Sequence, residues 1–322
     1  MKVQSGDREF SLAFVTATWG ADLDHFRWLR RSLEKAGFAE VPHIVVVQTE
    51  DLHRFLSFAT GGVQLKTTAD VLPPSVESGR VRALSKARRY GRHLTRFCTS
   101  LNKRFGWCDF VRYSGWQVQQ ITKLTVSADA ALDVAVVLDS DLIVTRPFDL
   151  QVFMPGEATA VFEDLDVTPD SPGLSWKWHC NARALLKQGP AEHTPANGYF
   201  ATPFVLDRRT LTSLFSWLQA EYLRPWYQVL LSQPVASWSE FCIYTQFARE
   251  QPQTSRLAIT RNRHQRSLVS VDERRDHERF IQESFDDPDI YFMNIPSDRR
   301  GKQHWSVDHY DAALSQYLGP LV

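Results

Sequence analysis

The stretch 134–146, Val-Ala-Val-Val-Leu-Asp-Ser-Asp-Leu-Ile-Val-Thr-Arg, places two carboxylates, Asp139 and Asp141, directly after an apolar run. Carboxylates this close repel one another unless a cation sits between them, and hard divalent cations prefer oxygen ligands. A cation held there can carry the phosphates of a nucleotide. Spacing alone decides little, because Asp-x-Asp occurs four times in the chain, at Asp22, Asp139, Asp164 and Asp287. Only the pair at Asp139 follows a run, Val134 to Leu138, that reads as a strand buried on both faces. In extended backbone, positions two apart share a face. Both carboxylates are therefore expected to project together from the strand's carboxyl end, where open α/β sheets hold their ligands.

Two further groups fall near that strand end. The helix expected from Gly115 has Val118, Ile121, Leu124 and Thr125 as its buried stripe and Gln117, Gln120 and Lys123 on a second face. It leads straight into Val134, so Gln120 and Lys123 either cover a solvent face or reach a phosphate or sugar hydroxyl. Farther along, Ser237 or Ser239 can cap a helix that puts Glu240 in its first turn. The helix dipole alone favours a carboxylate there; a proton acceptor is the other reading.

The elements that must position these groups follow in order. Ser11 to Gly20 reads as a first strand, followed by a helix on Phe26, Leu29 and Leu33 that stops near Gly37. Pro42 to Gln48 is a second buried strand, and Glu50-Asp51 opens another helix. This alternation predicts a doubly wound, mostly parallel sheet flanked by helices. Gly61 to Gly79, with Pro73-Pro74, reads as a loop. After Phe148 the pattern turns irregular and aromatic, with helices over 182–187 and 211–222, a turn and strand over 194–206, a last strand over 289–295 and a closing helix over 308–318. The expectation is one large domain over 1–322, with a nucleotide-binding half (about 11–150) and a substrate half (about 151–322).

Lys plus Arg and Asp plus Glu each number 37, so no global field favours nucleic acid. The stretch Arg80–Arg104 departs from that balance, with nine Lys or Arg residues interleaved with Leu84, Leu94 and Phe97. It reads as a solvated helix face, with peripheral contact at a membrane as the alternative. Cys98, Cys108, Cys180 and Cys242 lack metal-binding spacing and read as reduced packing residues of a cytoplasmic protein. The polar amino terminus does not read as a signal peptide, and no apolar run approaches a membrane span.

The order of these motifs carries a resemblance. A first strand with Thr16-Ala17-Thr18, the Gly-Trp-x-x-Gln-Gln-x-x-Lys-Leu helix from Gly115, Leu138-Asp-Ser-Asp141 with Arg146-Pro-Phe148, and Ser-Glu-Phe-x-x-Tyr from Ser239 resemble the GT-A fold of nucleotide-sugar glycosyltransferases. The likeness is closer to bacterial glycosyltransferase-like proteins of capsule and lipopolysaccharide synthesis. It implies a UDP- or GDP-sugar donor, a saccharide or glycolipid acceptor, and Mn²⁺ or Mg²⁺ held by Asp141, with Asp139 on the metal or ribose. It also implies Thr16, Ala17 and Thr18 at the base and ribose, Gln120 and Lys123 at the diphosphate, and Asn197 and Gly198 at the sugar. His304, with His264 behind it, would complete the metal shell, although the His-Phe-x-Gly form of that segment is lacking. Glu240 would serve as the base of an inverting reaction, with Asp164 and Glu163 in reserve; a retaining enzyme would need none. A nucleotidyltransferase would need a Gly-rich basic loop after the first strand, and 16–24 has one Gly and no Lys or Arg. A binding protein that keeps the fold without turnover is the other rival.

Overall fold

The computed structural model describes residues 1–113, 115–129, 131–171, 173–189, 196–198, 202–251, 256–261, 264–267, 274–295 and 310–321. The first half runs β1 (Lys2–Ser5), β2 (Arg8–Thr18), α1 (Leu23–Lys35), β3 (His43–Val47), α2 (Leu52–Phe55), β4 (Val63–Thr67), α3 (Thr68–Val71), α4 (Pro74–Phe105), α5 (Trp116–Ser127), β5 (Val134–Val137) and β6 (Leu142–Val144). The second half adds β7 (Thr159–Val167), α6 (Ser175–Leu185), β8 (Ala196–Gly198), β9 (Phe204–Asp207), α7 (Arg208–Tyr222), α8 (Trp226–Leu231), α9 (Glu240–Glu250), β10 (Leu257–Arg261), β11 (Gln265–Ser267), α10 (Arg274–Asp286), β12 (Phe292–Asn294) and α11 (Asp311–Leu318). No helix among the described residues is long and apolar enough to cross a membrane.

The central sheet has the order β4-β3-β2-β5-β9, with β1 on β2; β4, β3, β2 and β5 are parallel and β9 is antiparallel. Alternate residues of each strand face opposite layers. Leu12, Phe14, Val45, Val134 and Val136 pack against Phe26, Leu29 and Leu33 of α1. On the other side Val137 meets Val118, Ile121 and Leu124 of α5 together with α7 and α9. Burial on both faces explains why β5 lacks polar alternation. Two small sheets, β10-β7-β8 and β11-β12-β6, extend from the strand ends.

The expected loop over Gly61–Gly79 is instead β4, α3 and the start of α4. Val63 and Leu65 alternate with polar residues as an edge strand should, and Thr67 and Asp70 close a capping box at the head of α3. Pro74 then opens α4, where its missing N–H costs nothing. The expected helix over 182–187 begins earlier, at Ser175, and the closing helix begins at Asp311.

A chain of buried polar groups ties the sheet together beneath its carboxyl edge. Arg30 Nη1 lies 3.1 Å from His43 Nδ1, and His43 Nε2 lies 2.8 Å from Thr16 Oγ1. Thr16 donates its hydroxyl to Leu138 O at 2.8 Å. Its oxygen is thus left to accept from Nε2–H, and Nδ1 accepts from the guanidinium. Imidazole is neutral in this arrangement: burial first, then the Arg30 charge, hold its pKa well below the usual value of about 6.5. The unfolded chain binds this proton more readily, so stability linked to His43 is present above that value and is lost as pH falls. Urea unfolding should show a loss of roughly 1.4 kcal/mol from this group between about pH 7.5 and 5.5, and His43→Gln should flatten most of that slope.

Candidate functional site

The chain moves from β2 to β3 and β4 on one side, while β5 lies on the other side of β2. The strand order reverses between β2 and β5, and a reversal of this kind opens a ligand crevice at the carboxyl ends. A cavity of about 270 Å³ lies there. Thr18 and Trp19 at the end of β2, Gln48 after β3, Arg80 of α4, and Trp116 and Gln119 of α5 line it. Gln119 Nε2 donates to Ala17 O at 2.8 Å, which holds α5 against the end of β2. The Thr18 hydroxyl is buried and has no described protein partner. Gly20 sits where any Cβ would collide with Asp51 and Arg54, and its N–H donates to Asp51 Oδ2 at 2.6 Å.

One turn along α5 from Gln119, Lys123 is only 4% exposed. Its ammonium lies 2.7 Å from Asp139 Oδ1 and 3.2 Å from Glu240 Oε1, and 5.2 Å above the Phe241 ring. The bond to Glu240 is a hydrogen bond, whereas Asp139 Oδ1 makes an ion contact without hydrogen-bond geometry. Burial opposes the charge of Lys123, but the two carboxylates outweigh it and hold the pKa above the ordinary range. Burial raises the pKa of Glu240, and the Asp139 charge adds to the rise while Lys123 opposes it. The expected serine cap of α9 is absent. Gln120 Oε1 instead accepts the Glu240 backbone N–H at 2.9 Å, so Gln120 caps the helix and the Glu240 carboxylate is free to meet Lys123.

Gln117, Gln120 and Lys123 were expected on one polar face; all three are buried, and Gln120 and Lys123 meet the first turn of α9. The Gln117 carboxamide and Gln120 Nε2 have no described protein partner, a cost of about 1–3 kcal/mol for each group left unmade.

The two aspartates do not share a face as extended backbone would require. β5 ends at Val137, and Asp139–Asp141 form a turn closed by Leu142 N–H donating to Asp139 O at 3.1 Å. Asp139 turns to Lys123, with Thr202 Oγ1 donating to its Oδ2 at 3.4 Å. Asp141 Oδ1 accepts from Asn294 Nδ2 at 3.2 Å. The Tyr310 phenol is buried; burial, then the charge of Asp141 and those of Asp24, Asp22 and Asp311, raise its pKa. Asp141 and Asp139 supply hard oxygens that fit Mn²⁺ or Mg²⁺. Because Lys123 already pairs with Asp139, Asp141 would hold such an ion foremost. No cluster of three His, Cys, Asp or Glu ligands occurs among the described residues.

The remaining expectations fall in several places. Thr16 is fully buried in the chain to Leu138 and does not line the cavity, whereas Ala17 and Thr18 do. The backbone of Asp164 in β7 pairs with Gly198 in β8, so the structure brings those two strands together. The side chains of Asp164 and Asn197, and all of His304, lie outside the described residues. His264 stacks on Tyr291 at 4.6 Å, with its Nδ1 2.9 Å from Asp289 O. Trp19, Gln48, Arg80, Trp116 and Gln119 were not singled out from sequence. Of these, Trp116 and Gln119 stand in the same motif as Gln120 and Lys123, and Arg80 opens the basic stretch, whereas Trp19 and Gln48 had no such signal.

Removing the ammonium leaves two carboxylates facing each other with little water. Lys123→Met should cost about 3–5 kcal/mol in urea unfolding, and Lys123→Met with Glu240→Gln should recover part of that loss. Because the Lys123 pKa is raised, its contribution should stay constant through neutral pH and be lost only above about 10.4. A single-variant cost below about 1 kcal/mol would show that the ion contacts do not organise the site.

Solved structures similar to this chain include the apo form of mouse xyloside xylosyltransferase 1, with 13% identity over 88% of this chain and 97% of that one and a TM-score of 0.45. The galactosyltransferase LgtC in complex with donor and acceptor sugar analogs shows 10% identity over 95% and 96%, with a TM-score of 0.43. The apo bifunctional glycosyltransferase WbbM shows 10% identity over 98% of this chain and 50% of that chain, with a TM-score of 0.46. Likeness at this level carries no conclusion about activity. No curated protein matches the sequence. Residues 31–292, most of the chain, match DUF6492, described as a family of unknown function, and the chain belongs to that family.

Proposed function

We propose that the protein is a metal-dependent glycosyltransferase of the GT-A kind, moving a sugar from a UDP- or GDP-sugar to a saccharide or glycolipid acceptor. The setting would be bacterial surface polysaccharide or glycoconjugate synthesis on the cytoplasmic side. The observation that carries this reading is the Asp139–Lys123–Glu240 cluster, with Lys123 and Glu240 buried and Asp139 partly exposed, beside the cavity where the strand order reverses. The base would sit between Trp19 and Trp116, with Thr18 and Gln119 at the ribose and the diphosphate toward Asp139 and Asp141. Asn197 and Gly198 would meet the donor sugar.

Breaking the bond from the anomeric carbon to the diphosphate builds negative charge on the leaving oxygens. A divalent ion held by Asp141 and Asp139 would supply charge stabilisation there. Lys123 fixes Asp139 from the opposite side. In an inverting reaction Glu240, whose raised pKa makes it a better proton acceptor than an ordinary carboxylate, would take the acceptor hydroxyl's proton. Asp164 and Glu163 would be the reserves for that role.

Thermal unfolding with a panel of nucleoside diphosphates and nucleotide sugars, with and without Mn²⁺, tests the reading. Stabilisation of about 2.7 kcal/mol is expected at a hundredfold excess over Kd, and only with metal. Asp141→Ala should remove that stabilisation while leaving melting of the ligand-free protein nearly unchanged; a large fall without ligand would make Asp141 structural. Glu240→Gln should keep donor binding and lower transfer by about 100-fold or more, measured as product formed at saturating donor. Indifference to every nucleotide, with or without metal, would fit a binding protein instead.

A further inference from the structure

Helix α4 is kinked at Gly91, whose φ of 73° lies in the left-handed region, and the kink sets off an outer segment, 92–105. Its inner side is anchored. Cys98 and Asn102 are buried, and Asn102 Oδ1 accepts from Val235 N–H at 2.9 Å. Its outer side is largely exposed, with Leu101 half-buried. Leu94, Phe97, Leu101 and Phe105 recur at spacings of three and four, which on a helix is one stripe. Phe97 is 59% exposed, Phe105 52% and Trp107, just past the helix end, 64%. Six of the twelve large apolar side chains exposed among the described residues lie between Val81 and Trp107.

The charge pattern on the same segment points to what covers it. Arg92, Arg96 and Lys103 share the flank of the apolar stripe, at spacings of four and seven. From Ser78 to Cys108 there are nine Lys or Arg and no Asp or Glu. The whole chain is formally neutral, so the rest carries an excess of nine negative charges. Such a molecule turns this helix toward any strongly anionic surface. A helical segment with one aromatic stripe, a basic flank and no acid is built for the headgroup layer of an anionic bilayer, where rings enter the boundary and long cations stay at the phosphates.

We infer that the outer segment of α4 with Trp107 is a membrane-surface docking element: its exposed aromatic stripe enters an anionic lipid leaflet and the flanking guanidinium and ammonium groups meet the phosphates. The inner end of the same helix carries Arg80 and Leu84, which line the cavity. Docking would therefore bring the cavity mouth close to the bilayer. That consequence rests on the transferase reading, since it would present a lipid-borne acceptor; the docking itself does not.

Co-sedimentation with vesicles tests it. The full chain should pellet with phosphatidylcholine vesicles containing phosphatidylglycerol and stay in solution with phosphatidylcholine alone, and salt should weaken the binding. At about fivefold per charge, Arg92→Gln with Arg96→Gln should weaken binding by at least about tenfold. Phe97→Ser with Trp107→Ser should do the same, with unchanged melting of both double variants. No binding to the anionic vesicles, equal binding to neutral ones, or indifference to both double variants would overturn the proposal. So would binding to single-stranded DNA with no binding to vesicles, which would make the face a polyanion site. Vesicle binding requires no sugar transfer, so failure here and failure of the transferase reading are separable.

Discussion

A single ammonium group, taken out of water between two carboxylates, is the constraint on which the candidate site depends. Lys123 draws together three elements distant in the chain: α5, the turn after β5, and the first turn of α9. An unpaired charge at that depth would cost several kcal/mol, so the three elements are held in one arrangement or the cluster does not form. Two carboxylates against one ammonium leave a net negative charge, and Asp139, with 31% of its side chain exposed, is where that charge meets solvent. The open side of the cluster is thus the side on which a cation would be attracted.

Support for that arrangement comes from below. The chain from Arg30 through His43 and Thr16 to Leu138 O runs in one donor direction, and it ends on the residue just before Asp139. It registers β2, β3 and the end of β5 against one another beneath the crevice. Thr16 contributes through this chain, one residue short of the cavity wall that Ala17 and Thr18 form. Gln120 does similar work on the other flank: by accepting the first N–H of α9 it releases the Glu240 side chain from capping.

Much of the frame was legible because it depends on local pattern. The apolar run before Asp139, the stripe of Phe26, Leu29 and Leu33, and the Val118, Ile121 and Leu124 face of α5 each state their element and their buried side. What was not legible depends on contacts distant in sequence. Gln117, Gln120 and Lys123 read either as a solvent face or as one turned to a phosphate or sugar, and nothing near them in the chain announces that Gln120 and Lys123 meet α9. Asp139 and Asp141 read as strand neighbours because the strand signal runs to Leu138, whereas Leu142 N–H closes a turn on Asp139 O. The Gly61–Gly79 segment misled through its Gly and Pro content, although Pro74 marks a helix start and Thr67 with Asp70 a cap.

The formal neutrality of the chain shows a further way in which a summed quantity conceals structure. A net charge of zero argues against a uniform field, and it is silent about segregation. Here 78–108 carries nine Lys or Arg and no acid, while the strand-end region gathers acids: Asp139, Asp141 and Glu240, with Asp22, Asp24 and Asp311 around Tyr310. Within roughly a Debye length, about 8 Å at physiological salt, each region acts by its own sign. The acidic crevice would attract cations, and the basic helix would orient the molecule relative to phosphate-rich surfaces. The two regions share a boundary at Arg80, whose guanidinium is held by Glu77 at 2.6 Å and Glu50 at 3.1 Å, so that the wall of the cavity itself is electrically closed. A mostly uncharged cavity wall of Trp, Gln and Thr beside an acidic cluster suits a ligand with a flat, neutral, hydrogen-bonding end and an anionic end that arrives with its own cation.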